Sequence, residues 1–274
     1  MSELRTYFEG NTGNCINKWI HYFEIYEFWF QKYKNKPLVI MEIGVFQGGS
    51  LNMWRDYFGE KAQIIGIDIN PECKQFETEN TKIFIGSQED REFLKEIKRQ
   101  VPKIDILIDD GGHSMKQQII SFEELFDHIK EDGLYLCEDL HTSYWKNYGG
   151  GFKKTESFIE YSKNFIDSIN AWHSRDKNLK VNPFTRNTYS LHYYDSVLVI
   201  EKKIIKNPVS EMKGEIIIPI ENFPTPVFKE NSIQQKRNIY FEKAKRIKEK
   251  FKVLGFKGFL FYIIRKFSAL NSKT

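Results

Sequence analysis

Five short apolar runs, each closed by acidic residues, a glycine or both, constrain this chain more than any other feature. They are "LVIMEIGV" from Leu38, "QIIGIDIN" from Gln63, "KIFIGSQED" from Lys82, "IDILIDDGG" from Ile104 and "GLYLCEDL" from Gly133. A continuous apolar run of this length reads as a strand buried on both faces, as in a parallel sheet. The intervening stretches, among them "EDREFLKEIKRQV" and "QQIISFEELFDHI", carry helical periodicity. Strand and helix in alternation predict a doubly wound, Rossmann-like α/β sheet with right-handed crossovers and helices on both faces. Further on, "NTYSLHYYDSVLVIEKK" reads as two strands reversing near Asp195, an antiparallel edge.

Three regions follow from this pattern. Residues 1–36 form a helical segment, in which the aromatic-rich stretch Asn14–Lys34 is read as one helix with an apolar face. Residues 37–205 hold the sheet. Between Tyr144 and Phe158 lies a segment expected to be a mobile loop hinged on Gly149, Gly150 and Gly151. Residues 206–274 comprise a proline-marked connector and a basic helical tail. From Asn231 onward there are 12 Lys and Arg against two Glu, whereas the rest of the chain has 29 basic and 35 acidic residues. An acidic body therefore carries a basic tail, and three readings of that tail stay open: a membrane-surface contact, packing on a partner subunit, or a solvated helix. The aromatic N-terminal helix is the candidate interface of a homo-oligomer. No apolar run approaches the roughly 20 residues that cross a bilayer, and the N-terminus shows no signal-peptide pattern. Cys15, Cys73 and Cys137 are isolated, which points to a reduced, cytoplasmic protein, with the tail's membrane reading making it peripheral.

In open α/β sheets, ligands lie beyond the carboxyl ends of the strands. The first strand runs into "EIGVFQGGS", an acidic residue, a glycine-rich turn and a helix start with Ser50 as cap. Such a turn lets a ligand approach backbone N–H groups. Its glycines do not follow the dinucleotide spacing G-x-G-x-x-G. Asp68 ends the second strand where a carboxylate meets ribose hydroxyls, and Gln88 ends the third where an amide meets an adenine edge. Asp110, Glu138 and Asp139 end the fourth and fifth strands as hard oxygen donors, a set that favours Mg²⁺ or Mn²⁺ over zinc. His113 follows Asp110 by three residues in a Gly-Gly turn, so its imidazole, the side-chain type suited to proton transfer at neutral pH, can face the same cavity. Asp109 has two readings, turn structure or ligand contact. His141 is a rival base or a pocket residue, Tyr144 and Trp145 are pocket wall or core, and His128 is read as a surface residue.

The motifs "EIGVFQGGSLNMW", "IGIDINP", "IDDGGHSMKQQIISFEELF" and "GLYLCEDLHTSYW" resemble those of the class I S-adenosylmethionine-dependent methyltransferases. Within that class they resemble the metal-dependent sugar O-methyltransferases of macrolide and bacterial polysaccharide biosynthesis, over roughly residues 12–203. The resemblance implies a seven-stranded sheet, mostly parallel, whose last strand is antiparallel. It implies that Glu42, Gly44 and Ser50 lie near the methionine part of the donor, Asp68 at the ribose and Gln88 near the adenine, while Asp109 stays a candidate donor contact. It further implies that Asp110, Glu138 and Asp139 bind the metal and that His113 acts with Asp110 in catalysis as general base; His141, Tyr144 and Trp145 are the candidate acceptor contacts. The family turn is often D-D-G-S-H, and here Gly112 replaces the serine.

The expected reaction is methyl transfer to a sugar hydroxyl, nucleotide-linked or in a surface (capsular) polysaccharide. The competing readings are an NAD(P)-dependent oxidoreductase on a similar sheet and a non-catalytic scaffold of a glycan-assembly complex. Nucleic acid is not an expected partner, because the N/D-P-P-Y/F tetrapeptide of amino-methylating enzymes is absent after the fourth strand, where "DDGGH" stands.

Overall fold

In a computed structural model of the chain, residues 2–223 are described; the basic tail lies outside them. Leu38–Ile43 (β1) is buried at every position. It is flanked by Ala62–Asp68 (β2) and Ile104–Asp109 (β4), both parallel to it. Thr81–Ile85 (β3) and Ile129–Cys137 (β5) extend the parallel sheet on either side. Val197–Lys202 (β7) adds to β5 antiparallel, and Thr188–Tyr194 (β6) pairs with β7 as the outer edge. The order β3-β2-β1-β4-β5-β7-β6 is the expected seven-stranded sheet with one antiparallel strand. Its winding reverses between β1 and β4, so a crevice opens there at the carboxyl ends.

Alternating strand residues divide the core. One face, with Ile40, Ile64, Ile106, Ile108, Leu134 and Leu136, packs against Glu3–Glu9 (α1), Tyr22–Phe30 (α2) and Gly49–Phe58 (α3). The other, with Met41, Ile43, Ile65, Leu107 and Tyr135, packs against Arg91–Gln100 (α4), Met115–Leu125 (α5) and Phe158–Ile169 (α6). Caps set the helix starts nearest the crevice. Asp90 accepts from Glu92 N and Phe93 N to open α4, and Ser114 with Gln117 forms a capping box on α5 immediately after the DDGGH turn. A short helix, Pro183–Asn187 (α7), leads into β6.

Several local expectations are corrected. The helix read over Asn14–Lys34 begins only at Tyr22, and residues 11–20 run as irregular chain. The aromatic face proposed as an oligomer interface is used within the chain, since Tyr22, Phe23, Tyr26, Trp29 and Phe30 are all buried in its core. Ser50 lies inside α3 rather than capping it; the cap position is Gly48. The segment read as a loop starts inside one 3-10 helix, Leu140–Tyr144, and holds a second, Lys146–Tyr148; Gly150 N and Gly151 N donate to Trp145 O and Ser143 O, and residues 149–157 run without helix or strand. His128 is buried, with Nε2 between the carbonyls of Val101 and Pro102. The chain divides into two units between Ser210 and Glu211. Among the described residues no helix is long and apolar enough to cross a membrane.

Lys202, at the end of β7, is buried with its ammonium donating to the carbonyls of Phe126 and Ile129. Burial pushes its pKa down to about 8. The unfolded chain keeps that proton up to about pH 10.4. Between those limits the unfolded state binds more protons, so this residue makes stability rise with pH. Urea midpoints measured from pH 7 to 10 should rise more steeply for the wild type than for Lys202→Met; parallel curves would contradict the assignment.

Candidate active site

The last rungs of the central ladder fix where the acidic residues emerge. Ile43, Asp109 and Cys137 stand in register across β1, β4 and β5. Asp110 N then donates to Ile43 O, and Glu138 N to Asp109 O. Side chains alternate along a strand. Glu42 therefore continues the face of Ile40, Asp110 that of Ile106 and Ile108, and Glu138 that of Leu134 and Leu136. Three carboxylates from neighbouring strands converge on one side of the sheet.

A cation meets them there. Lys18 Nζ lies 2.5 Å from Asp110 Oδ2, 3.0 and 3.1 Å from the two Glu138 oxygens and 3.5 Å from Glu42 Oε1. The residue is 8% exposed. Burial alone would lower its pKa, but the charges of Asp110, Glu138 and Glu42 hold it well above the ordinary lysine value. One ammonium does not balance three carboxylates. Burial pushes Glu138 well above the usual carboxylate range, reinforced by the charge of Asp110 and only partly offset by Lys18. Burial likewise raises Glu42. Ser50 Oγ donates at 2.6 Å to the Glu42 oxygen that Lys18 leaves, and Tyr26 OH donates at 2.6 Å to Glu138 Oε1, which it shares with Lys18. Lys18 arrives on the irregular stretch before α2, which passes directly over the first turn of α3. A Cβ on Gly49 would stand 2.4 Å from the carbonyl oxygens of both Asn14 and Cys15, so only glycine admits this approach.

Asp110 belongs to a second group as well: Asp110, His113 and Asp139 each present a ligand atom within 4.8 Å of the others. His113 Nε2 is 3.8 Å from Asp110 Oδ1 and 3.5 Å from Asp139 Oδ2. Both His113 (φ 54°) and Asp139 (φ 55°) have left-handed backbones, a strained conformation that recurs at functional sites. Thr142 Oγ1 holds the His113 carbonyl, and Tyr22 OH donates to Asp139 Oδ1 at 2.8 Å. Glu138, expected beside Asp110 and Asp139 as a metal ligand, is not in this trio; its oxygens accept from Lys18 and Tyr26. Two carboxylates and an imidazole at this spacing fit a divalent cation that keeps water or substrate oxygens in its shell.

A cleft of about 380 Å³ adjoins the trio, lined by Gly44, Phe46, Asp68, Ser87, Gln88, Asp110 and Gly111 among others. Gly44 (φ 97°) brings the β1 turn against the β4 turn; a Cβ there would lie 2.0 Å from Asp110 O. Asp68 accepts from Val45 N, Phe46 N and Asn70 N, so its carboxylate organises the glycine turn. Gln88 spans from Gly112 N to Asp109 Oδ1 and Ser121 Oγ, bracing the DDGG turn. Of the six residues expected around the donor, Gly44, Asp68 and Gln88 line this cleft, whereas Glu42, Ser50 and Asp109 sit behind it. Asp109 points to the opposite face from Asp110; burial pushes its pKa up to about 7, and its Oδ2 has no partner. His141 Nδ1 pairs with Ser196 Oγ and lies 4.0 Å from Asp139 Oδ1. Tyr144 and Trp145 are about half exposed beside it. Sequence reasoning missed Lys18, Tyr22 and Tyr26. The period-two count from Ile40, Ile106 and Leu134 would have placed the three carboxylates together and called for a cation.

The chain matches no family model. It is 34% identical over 215 residues to the mycinamicin VI 2''-O-methyltransferase of Micromonospora griseorubida, covering 74% of this chain and 52% of that one. It is 30% identical over 198 residues to the 8-demethyl-8-alpha-L-rhamnosyl tetracenomycin-C 2'-O-methyltransferase of Streptomyces olivaceus, covering 68% and 52%. Among solved structures, the MycE methyltransferase in complex with Mg, SAH and mycinamycin VI superposes with a TM-score of 0.65 at 30% identity, over 74% of this chain and 53% of that one. The chain thus spans about half the length of the curated relatives it matches.

Replacing Lys18 by Met leaves the buried carboxylates of Glu42 and Glu138, and the partly buried one of Asp110, without their cation. Breaking a buried ion pair from one side costs about 3–5 kcal/mol. Denaturant unfolding of Lys18→Met at pH 8 should show a loss of that order. The deficit should shrink toward pH 5, because protonation removes the unpaired charge of groups whose pKa is already raised. A variant as stable as wild type at pH 8 would show that the ammonium does not balance this cluster.

Proposed function

This chain is a relative of the S-adenosylmethionine-dependent sugar O-methyltransferases, and on that footing we propose that it transfers a methyl group to a sugar hydroxyl with the help of a divalent metal. The observation that carries the reading is the convergence of Asp110, His113 and Asp139 at the mouth of the cleft, at the reversal point of the sheet. Residues 37–205 are the donor-binding domain on this reading. The cleft takes S-adenosylmethionine, with Asp68 and Gln88 holding the turns that shape it and Gly44 leaving room at its floor.

Asp110 and Asp139 would hold the cation, Mg²⁺ or Mn²⁺; Glu138 becomes a further ligand only if the ion displaces Lys18. When bound, the ion lowers the pKa of the acceptor hydroxyl. His113 Nε2, facing both carboxylates, takes the hydroxyl proton, and Asp139 offsets the resulting imidazolium. The acceptor oxygen bonds to the methyl carbon as the carbon–sulfur bond breaks and its electron pair stays on sulfur. Holding the two reactants in line is worth up to about 7–11 kcal/mol. His141, Tyr144 and Trp145 border the acceptor side.

The relatives' names point to a sugar on a small glycoside as acceptor. A nucleotide-linked or capsular sugar offers the same vicinal hydroxyls and forms the second arm of the test. The chain is incubated with S-adenosylmethionine, Mg²⁺ and a panel containing methyl α-L-rhamnopyranoside, other methyl hexopyranosides and nucleotide sugars. Mass spectrometry should find a product heavier by one methylene, and excess EDTA should abolish it. Failure to methylate every sugar overturns the proposal. With an accepted sugar, His113→Ala should lower kcat by about 10²–10⁴-fold, while S-adenosylhomocysteine binding, followed by calorimetry, stays near wild type.

A further inference from the structure

The stretch that carries Lys18 into the carboxylate cluster carries Trp19 outward. With Lys18 enclosed and the backbone of Asn14 and Cys15 held against Gly49, the next side chain has little freedom in where it stands. Trp19 lies with its ring centroid 5.7 Å from that of His141, the two planes at 82°. His141 in turn lies 4.7 Å from Trp145. The rings run Trp19, His141, Trp145, and the middle one stands beside Asp139, whose Oδ1 is 4.0 Å from His141 Nδ1. Two of them remain open to solvent: Trp19 is 54% exposed and Trp145 47%.

Large indoles left half bare at the edge of a reacting centre call for an occupant. The surroundings argue for its chemistry. An apolar wall with a few convergent polar groups is the usual make-up of a small-molecule site. One face of a pyranose ring offers several C–H hydrogens, slightly positive, which suit the negative face of an indole. The ring's edge offers hydroxyls, which suit His141 and the carboxylates of Asp139 and Asp110. A row of indoles continuous with an acid and imidazole group matches that amphipathic shape.

We infer that Trp19 is a specificity-determining residue, forming with Trp145 a platform on which the C–H face of the acceptor sugar rests so that one hydroxyl points to Asp139 and His113. The inference rests on the sugar-acceptor reading above. Lys18 is the platform's anchor, which explains why the positions are adjacent: one side chain fixes the segment inward so that its neighbour is rigid outward.

The test uses the full chain with S-adenosylhomocysteine and Mg²⁺, and methyl α-L-rhamnopyranoside as probe. Saturation-transfer NMR should show the wild type contacting the C–H protons of one ring face. Trp19→Ala should weaken sugar binding about tenfold and raise KM alike, with kcat and S-adenosylhomocysteine affinity retained. Trp19→Phe should recover most of the loss. Unchanged sugar binding in Trp19→Ala overturns the inference. So does sedimentation showing that Trp19→Ala only splits a dimer while sugar affinity holds, because the indole would then serve a second copy of the chain. If the wild type itself binds none of the hexosides in the panel, the acceptor reading fails, and this inference with it.

Discussion

The contact between the Lys18 ammonium and the carboxylates of Glu42, Asp110 and Glu138 underlies the arrangement of the site. Carboxylates at the ends of central strands sit where the sheet is most enclosed, and a buried anion without compensation is costly. Lys18 supplies that compensation from outside the sheet. Its presence gives Glu138 a structural partner, leaves Asp110 with one oxygen facing the cation and the other facing His113, and pins the segment that bears Trp19. Tyr22 and Tyr26 of α2 extend the same scheme, each donating a hydroxyl to an acid of the fifth strand's terminus.

Most of the fold was legible because its determinants are local and repetitive. The runs beginning at Leu38, Gln63, Lys82, Ile104 and Gly133 are apolar on both faces, and only a parallel sheet buries such strands. The hairpin around Asp195 was legible from its alternation. The N-terminal region was not. Asn14–Lys34 has enough aromatics to suggest one helix, yet the chain stays irregular until Tyr22, because Lys18 must reach acids 92 and 120 residues further along. No window of periodicity reports a partner at that distance.

The site was legible to a similar degree. Identifying strand-end residues picked out the right neighbourhood, so Gly44, Asp68, Gln88, Asp110, His113 and Asp139 all meet around one cleft or at its mouth. What the reading did not separate is direction. Asp109 and Asp110 are adjacent in sequence but face opposite sides of the sheet, one to Gln88 and the other to Lys18. Glu138 and Asp139 diverge for a different reason, since Asp139 leaves the strand with a left-handed backbone. Residue type told which atoms were available, and strand parity told where they point.

The sequence distance between Lys18 and Glu138 also bears on how the molecule assembles. During vectorial synthesis the lysine emerges from the ribosome far ahead of the last carboxylate it contacts, so the full cluster can form only once Glu138 has been made. Closing such long loops is entropically expensive and slow. A chain that stops short of Glu138 keeps Lys18 with only Glu42 and Asp110 of the three carboxylates, so the charge balance of the cluster is set by the last strand terminus to be made.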